Sequence, residues 1–252
     1  MIRRSQWSTG VAAACLLVPG LAAAEPVDEV LWERLLSHHV RSSGEVAYEP
    51  MQGERPQLER YLEQLGQAQP EAWPKAEQLA FWINAYNAAV VKGVLDYYPI
   101  RSVREVPGFF TKRRYQVGGE LLSLHAIENR VRGFGEWRAH FALVDGTRSS
   151  PPLAPTPYRT ATLDRQLAAQ TARVLADPSR GLRFDPPQRA VQLSTVFSEF
   201  RADFLPKGSL TVERLVPVLE PYLAPDVAAL LEYRRWKLAF LPKDWALNNR
   251  TP

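Results

Sequence analysis

The chain has one cysteine in 252 residues, Cys15, and only two methionines. Cys15 falls in a leader-like stretch. Arg3 and Arg4 precede a short apolar run from Val11 to Ala24, which is broken by Pro19-Gly20 and ends in the small residues Ala22-Ala23-Ala24. This is the pattern of a secretory signal peptide, and cleavage after Ala24 is expected. Residues 25–252 would then form a chain of 228 residues without a thiol. That excludes disulfides, cysteine-ligated zinc, thiol redox chemistry and a cysteine nucleophile together. The fold must rest on its apolar core, which a chain of this length can bury.

Long apolar runs are also missing. The leader is too short to span a bilayer comfortably, and no later segment is uniformly apolar enough to do so. A periplasmic or secreted protein, not integral to the membrane after cleavage, is therefore expected. Charge of one sign is scarce as well. Without Arg3 and Arg4 the chain carries 29 basic and 27 acidic residues, a net charge of +2. The arginines are scattered rather than striped, which argues against a nucleic-acid partner. No Gly-x-Ser-x-Gly elbow, Walker loop or dinucleotide fingerprint occurs. The four histidines, His38, His39, His125 and His140, form no HxxxH or His-x-x-Glu pair in a context that builds a zinc site, so neither metal nor cofactor is expected.

What is present reads as one α+β domain over residues 25–252, mostly helical around a small β-sheet, with a buried central helix. Val30, Leu31, Leu35 and Leu36 predict a first helix over 27–40. Leu58, Tyr61, Leu62 and Leu65 predict a second, opened by Pro56 and stopped by Gly66. The third, over 74–97, is apolar nearly all round from Leu79 to Leu95, which implies burial on every face. Asn84, Asn87 and Lys92 are its polar exceptions. The two asparagines share one stripe and either tie down a neighbouring loop or line a ligand cleft. A hairpin is expected at Arg114–Val117 and Leu121–Leu122 around Gly118-Gly119. A short helix capped by Ser123 should follow, with Leu124, Ile127 and Val131 inward and His125, Glu128 and Arg132 on the other side. His140 to Val144 alternates as a strand, with another strand at 190–196. Helices are expected at 161–175, 211–219 and 226–233, with an amphipathic segment at 197–204 that contains Asp203. The aromatic tail from Leu238 to Asn248 should pack back onto the domain.

The richest segment for chemistry runs from His140 through Asp145, Ser149 and Ser150 into Pro151-Pro152, where hydroxyls and a carboxylate follow a buried stretch. The candidate catalytic set is His140 with Ser150 and Glu128. Asn84, Asn87, Asp145 and Ser149 are candidate ligand-binding residues. A serine nucleophile here requires a base such as His140 within hydrogen-bond reach.

Leu79 to Ala88, the Gly118-Gly119 to Glu128 stretch, Arg138 to Leu153 and the ending Asp244 to Asn248 together resemble the domain of unknown function numbered 547. The motifs span about 79 to 248 in the family's order. The resemblance implies a domain and no reaction. It also implies a divergent member, because relatives commonly carry cysteine where this chain has Asp145 and Ser150. Three functions are compatible with these residues. The first is a periplasmic ligand- or partner-binding domain with degenerate catalytic machinery. The second is a hydrolase or transferase using His140 with Ser150. The third is an interaction subunit recruited through aromatics such as Phe109-Phe110 and Trp137.

Overall fold

Three helices open the fold: α1 (Glu29–His39), the single turn α2 (Tyr48–Met51) and α3 (Arg55–Gln67). The computed structural model describes residues 27–233 and 235–250; the expected leader and its cleavage point lie outside the described residues. Asp28 caps α1 by accepting the Val30 N–H at 3.0 Å, which satisfies one of the free donors of the first turn. The core face of α1 is Trp32, Leu35 and Leu36, whereas Val30 is 63% exposed. Trp32 stacks on Tyr61 of α3 with ring centroids 5.8 Å apart.

Helix α4 (Lys75–Leu95) is the buried centre. Every residue from Leu79 to Val91 is buried, as the all-round apolar pattern requires. Each large apolar side chain buried this way contributes about 1.5–3 kcal/mol relative to exposure. Lys92 escapes towards the helix end, where it, Arg55 and Arg113 surround the Asp96 carboxylate. The expected hairpin forms from β1 (Tyr115–Val117) and β2 (Glu120–Leu122), paired antiparallel. It leads into α5 (Leu124–Arg132), whose first turn is capped by Ser123 accepting the Ala126 N–H. Leu124, Ile127 and Val131 are buried, and α5 packs on α4.

The segment after α5 corrects an expectation. His140 to Val144 is not a strand: Trp137–Phe141 is a 3-10 helix and irregular backbone follows. The alternation misleads because both sides of the run are buried, from Ala139 to Val144. The Ala142 and Leu143 N–H groups donate to the Ala139 carbonyl within the turn, and side chains rather than a neighbouring strand take other backbone groups of the run. Gln170 donates to the Phe141 carbonyl, Asn87 donates to the Ala142 carbonyl and accepts the Val144 N–H, and Ser150 accepts the Asp145 N–H.

Helix α6 (Leu163–Leu175) then leads to a three-stranded sheet of β3 (Leu182–Asp185), β4 (Ala190–Leu193) and β5 (Lys237–Phe240), in that order. Strands β3 and β4 are antiparallel; β4 and β5 are parallel, with Val191 opposite Leu238. A parallel pair needs a crossover. It is supplied by α7 (Val196–Glu199), α8 (Arg201–Phe204), α9 (Val212–Leu219) and α10 (Pro225–Tyr233). The architecture is α+β with helices predominating and, among the described residues, two small sheets. Its apolar interior has two clusters, one around α4 and one around Phe141, Phe197, Phe204 and the sheet. Ala139 and Ala142 belong to the first cluster and Phe141 to the second, so the 3-10 segment lies on their seam.

Candidate functional site

The turn 145–150 begins where that seam reaches the surface. Asp145 Oδ1 accepts both the Thr147 N–H at 2.9 Å and the Thr147 hydroxyl at 2.6 Å, an Asx turn that fixes the carboxylate. Gly146 follows with φ +79°, a conformation few side chains tolerate, and a Cβ there would press on Val103 at 3.2 Å. The C-terminal segment holds the turn from outside. Arg148 N–H donates to the Ala246 carbonyl, Asn248 N–H to the Gly146 carbonyl, and Asp244 N–H to Ser149 Oγ. The expected return of the aromatic tail therefore buttresses this turn.

A cleft of about 340 Å³ lies between the turn, α5 and α7. It brings together His140, Glu128, Asp145, Ser149 and Ser150, five of the seven residues singled out by sequence. Asn84 and Asn87 are not among its walls. Asn87 holds the backbone of Ala142 and Val144. Asn84 holds Tyr158, donating to its carbonyl at 2.8 Å and accepting its N–H at 2.9 Å. Asn84 also borders a separate hollow of about 720 Å³ near Trp73 and Arg159. The Arg159 guanidinium there is already paired with Glu29 and Glu33.

His140 is buried and ordered on two sides. Its ring stacks on Phe200, with centroids 4.1 Å apart and planes 21° from parallel. Its Nε2 lies 2.9 Å from Asp203 Oδ2. A carboxylate only accepts, so Nε2 carries the proton and Nδ1 keeps its lone pair, with no hydrogen bond among the described residues. Asp203 is clamped in turn by Arg132, whose Nε and Nη2 donate to Oδ2 and Oδ1 at 2.8 and 3.2 Å. The Arg132 hydrogen bonds, with the His140 contact added, hold the Asp203 carboxyl below the usual carboxylate range despite partial burial. Burial pushes the His140 imidazole below its ordinary value, against the pull of Asp203. The result is a neutral histidine, fixed in one tautomer, at the wall of a cleft.

Opposite charges are unevenly distributed around the cleft. Burial pushes the Glu128 carboxyl up, and its nearest partner is the exposed His125, 3.5 Å away. Glu199 repels Glu128 and raises it further. Asp145 pairs with Lys243 at 2.9 Å, and the ammonium sits 3.7 Å from Glu199 and 4.6 Å from the Trp245 ring centre. Burial works to lower the Lys243 pKa, but these carboxylates keep it raised. Three carboxylates therefore face one ammonium. Tyr86 closes the floor; burial, with Glu128 and Asp145 nearby, holds its phenol well above the ordinary value, so it remains a neutral hydroxyl.

Ser150 is buried, and its Oγ accepts the Asp145 N–H at 2.9 Å. The positions of Asp145 and Ser150, where the resembled family commonly carries cysteines, are thus in contact. No hydrogen bond joins His140 to Ser150 among the described residues, so no serine–histidine nucleophile pair is assembled. Sequence reasoning missed Asp203, Arg132, Glu199 and Lys243 as site residues. The chain separation between Arg132 and Asp203, 71 residues, left no local pattern to find. Two histidines read as unfit for a metal, His38 and His39, both reach Glu54.

The fold and cleft define an α+β domain whose polar site carries a carboxylate-backed histidine. Residues 70–175 match the model of the family described as "Protein of unknown function, DUF547", and the chain's similarity to that family rests on this segment. No curated protein and no solved structure matches the chain. The matched segment supplies Glu128, His140 and the 145–150 turn. Asp203, Glu199 and Lys243 come from beyond it.

Proposed function

We propose that this chain is an exported protein that binds a small polar molecule in the Glu128–His140 cleft. The observation that carries the reading is Glu128: a carboxylate whose pKa burial raises although His125 and Arg132 pull it down, opening onto a cavity and, among the described residues, in ion-pair contact with no lysine or arginine. A carboxylate is not buried that way for stability, because its desolvation is only weakly offset. With Asp145 and Glu199 beside it and Lys243 as the one ammonium, the cleft favours a ligand that presents a protonated nitrogen or hydrogen-bond donors. The leader-like N-terminus supports export to the periplasm or beyond. No helix among the described residues is long and apolar enough to cross a membrane. Neither nucleic acid nor a cofactor enters this reading, and the partner is a small molecule rather than a protein.

A second reading has its own observation. The Arg132–Asp203–His140 chain fixes a neutral imidazole with a free lone pair, as a general base requires. In a hydrolase or transferase of this design His140 would act on a bound water or on the ligand itself, since Ser150 is engaged with the turn. The two readings separate in one experiment. The mature protein is incubated with a small-molecule extract of its native host, washed, denatured, and the released compounds are identified by mass spectrometry. Binding predicts a compound recovered unchanged; catalysis predicts its conversion, lost in His140→Ala. Failure to recover or convert any compound contradicts both. Export is checked by intact mass: a chain starting at Glu25 is expected, and one retaining Cys15 contradicts it.

A further inference from the structure

We propose that His38, His39 and Glu54 bind a divalent transition-metal ion of the zinc type. His38 and His39 are the last two residues of α1, and Glu54 ends the 3-10 turn Gln52–Glu54 that leads into α3. Neighbours on a helix point about 100° apart, so the two imidazoles need a third group between them to share one ion. Glu54 stands there. Its Oε1 lies 3.2 Å from His38 Nδ1 and 3.0 Å from His39 Nε2, and the three donor atoms all lie within 4.8 Å of one another. With Zn–N and Zn–O bonds of about 2.0–2.2 Å, tetrahedral ligand atoms sit roughly 3.3 Å apart. Two edges of that arrangement already have nearly this length. The third closes by rotation of His38, whose side chain is 48% exposed and free to turn.

The other oxygen of the same carboxylate is the independent observation. Glu54 Oε2 is buried and, among the described residues, has no hydrogen-bond partner. The nearest cation is the Arg34 Nε, 3.9 Å away on a side chain that is 61% exposed. A buried carboxylate oxygen left without a donor is unusual and needs a cause; a cation drawn into the space between the three side chains supplies one. The C-terminal end of α1 adds the negative end of a helix dipole, which favours a positive ion. Two imidazoles and one carboxylate form a borderline donor set suited to zinc, with a fourth position left for water. These residues precede the family-matched segment 70–175, so the site would be a property of this chain's N-terminal helices. It would clamp α1 to the start of α3.

The test uses tag-free mature protein stripped with a chelator and titrated with zinc chloride by calorimetry. Cobalt(II) absorption then reports the coordination geometry. The expectation is one zinc per chain at about pH 7.5. At a hundred times Kd the melting temperature should rise by about 5–10 °C. His38→Ala, an exposed change that should leave folding intact, and Glu54→Gln should each weaken zinc by at least tenfold. His125→Ala should change nothing. Absence of saturable binding at submillimolar zinc overturns the proposal. So does binding that survives His38→Ala, or binding abolished by His125→Ala, which would move the ion to the α5 pair.

Discussion

Asn84 and Asn87 sit one turn apart on α4, and each uses both ends of its amide on a single stretch of backbone. Glu128 and His140, also polar and mostly buried, are held differently. His140 has one nitrogen tied to Asp203 and the other without a hydrogen bond among the described residues, and Glu128 has an exposed histidine, 3.5 Å away, for a partner. The difference separates two uses of buried polarity. Each asparagine takes the place of strand pairing for the backbone it holds, and the nitrogen and oxygen of each amide are both committed to that backbone. The cleft residues are incompletely satisfied and face open volume, which is the condition for recognising something from outside.

The comparison breaks most readily at Asn87. Replacing it by leucine leaves the Ala142 carbonyl and the Val144 N–H without partners, and should cost roughly 2–4 kcal/mol in denaturant unfolding. A loss below about 0.5 kcal/mol would mean that other contacts, and not Asn87, hold the segment. A smaller effect is expected at Asp203. Asp203→Asn weakens charge-assisted bonds to Arg132 and His140 and should cost about 1–2 kcal/mol. It should also lower the His140 pKa further, which imidazole nitrogen shifts in NMR would register.

His140 gives a pH dependence of definite sign. Burial depresses its folded pKa below the unfolded value near 6.5, so the unfolded chain takes up the proton first. The stability that His140 contributes is present above pH 6.5 and is lost as pH falls towards the folded value. Asp203, also depressed, adds a further loss below its ordinary pKa of 3.8. His140 and Asp203 both pull the melting temperature down as acid is added, against the opposite pull of Glu128 with its raised carboxyl, and His140→Gln should flatten the upper part of the curve. An unchanged curve in that variant would place the His140 titration elsewhere. The smallest effect belongs to Ser150→Ala, about 1 kcal/mol from the lost acceptor of the Asp145 N–H.

Local patterns carried much of the fold. Periodicity identified α4 as buried on every face, and the Ser123 cap and the Gly118-Gly119 turn located the hairpin and α5, because each depends on neighbouring residues alone. The strand expected at His140 to Val144 failed for a physical reason. Among its backbone partners are side chains from α4 and α6, far away in the chain, and a short apolar run has no period of its own that could announce them. Strand β3 was missed because Leu182–Asp185 alternates too briefly to stand out. At the site, His140, Glu128 and the 145–150 turn were legible as polar groups beside apolar segments. Asp203, Lys243 and Glu199 were not, since what marks them is a partner in space. His38 and His39 were dismissed on spacing, and Glu54, 15 residues beyond His39, is what brings them together.

The central claim is that Glu128 is kept for a ligand rather than for the fold. The most direct measurement pairs the stability of Glu128→Gln with its retention of the compound captured by the unaltered protein. The account predicts that the variant melts at or slightly above the temperature of the parent near neutral pH, because a raised carboxyl pKa means that ionisation in the folded state is a cost. It further predicts that the captured compound is lost. A variant that melts several degrees lower while still holding the compound would contradict the claim and make Glu128 a structural ion-pair partner of α5.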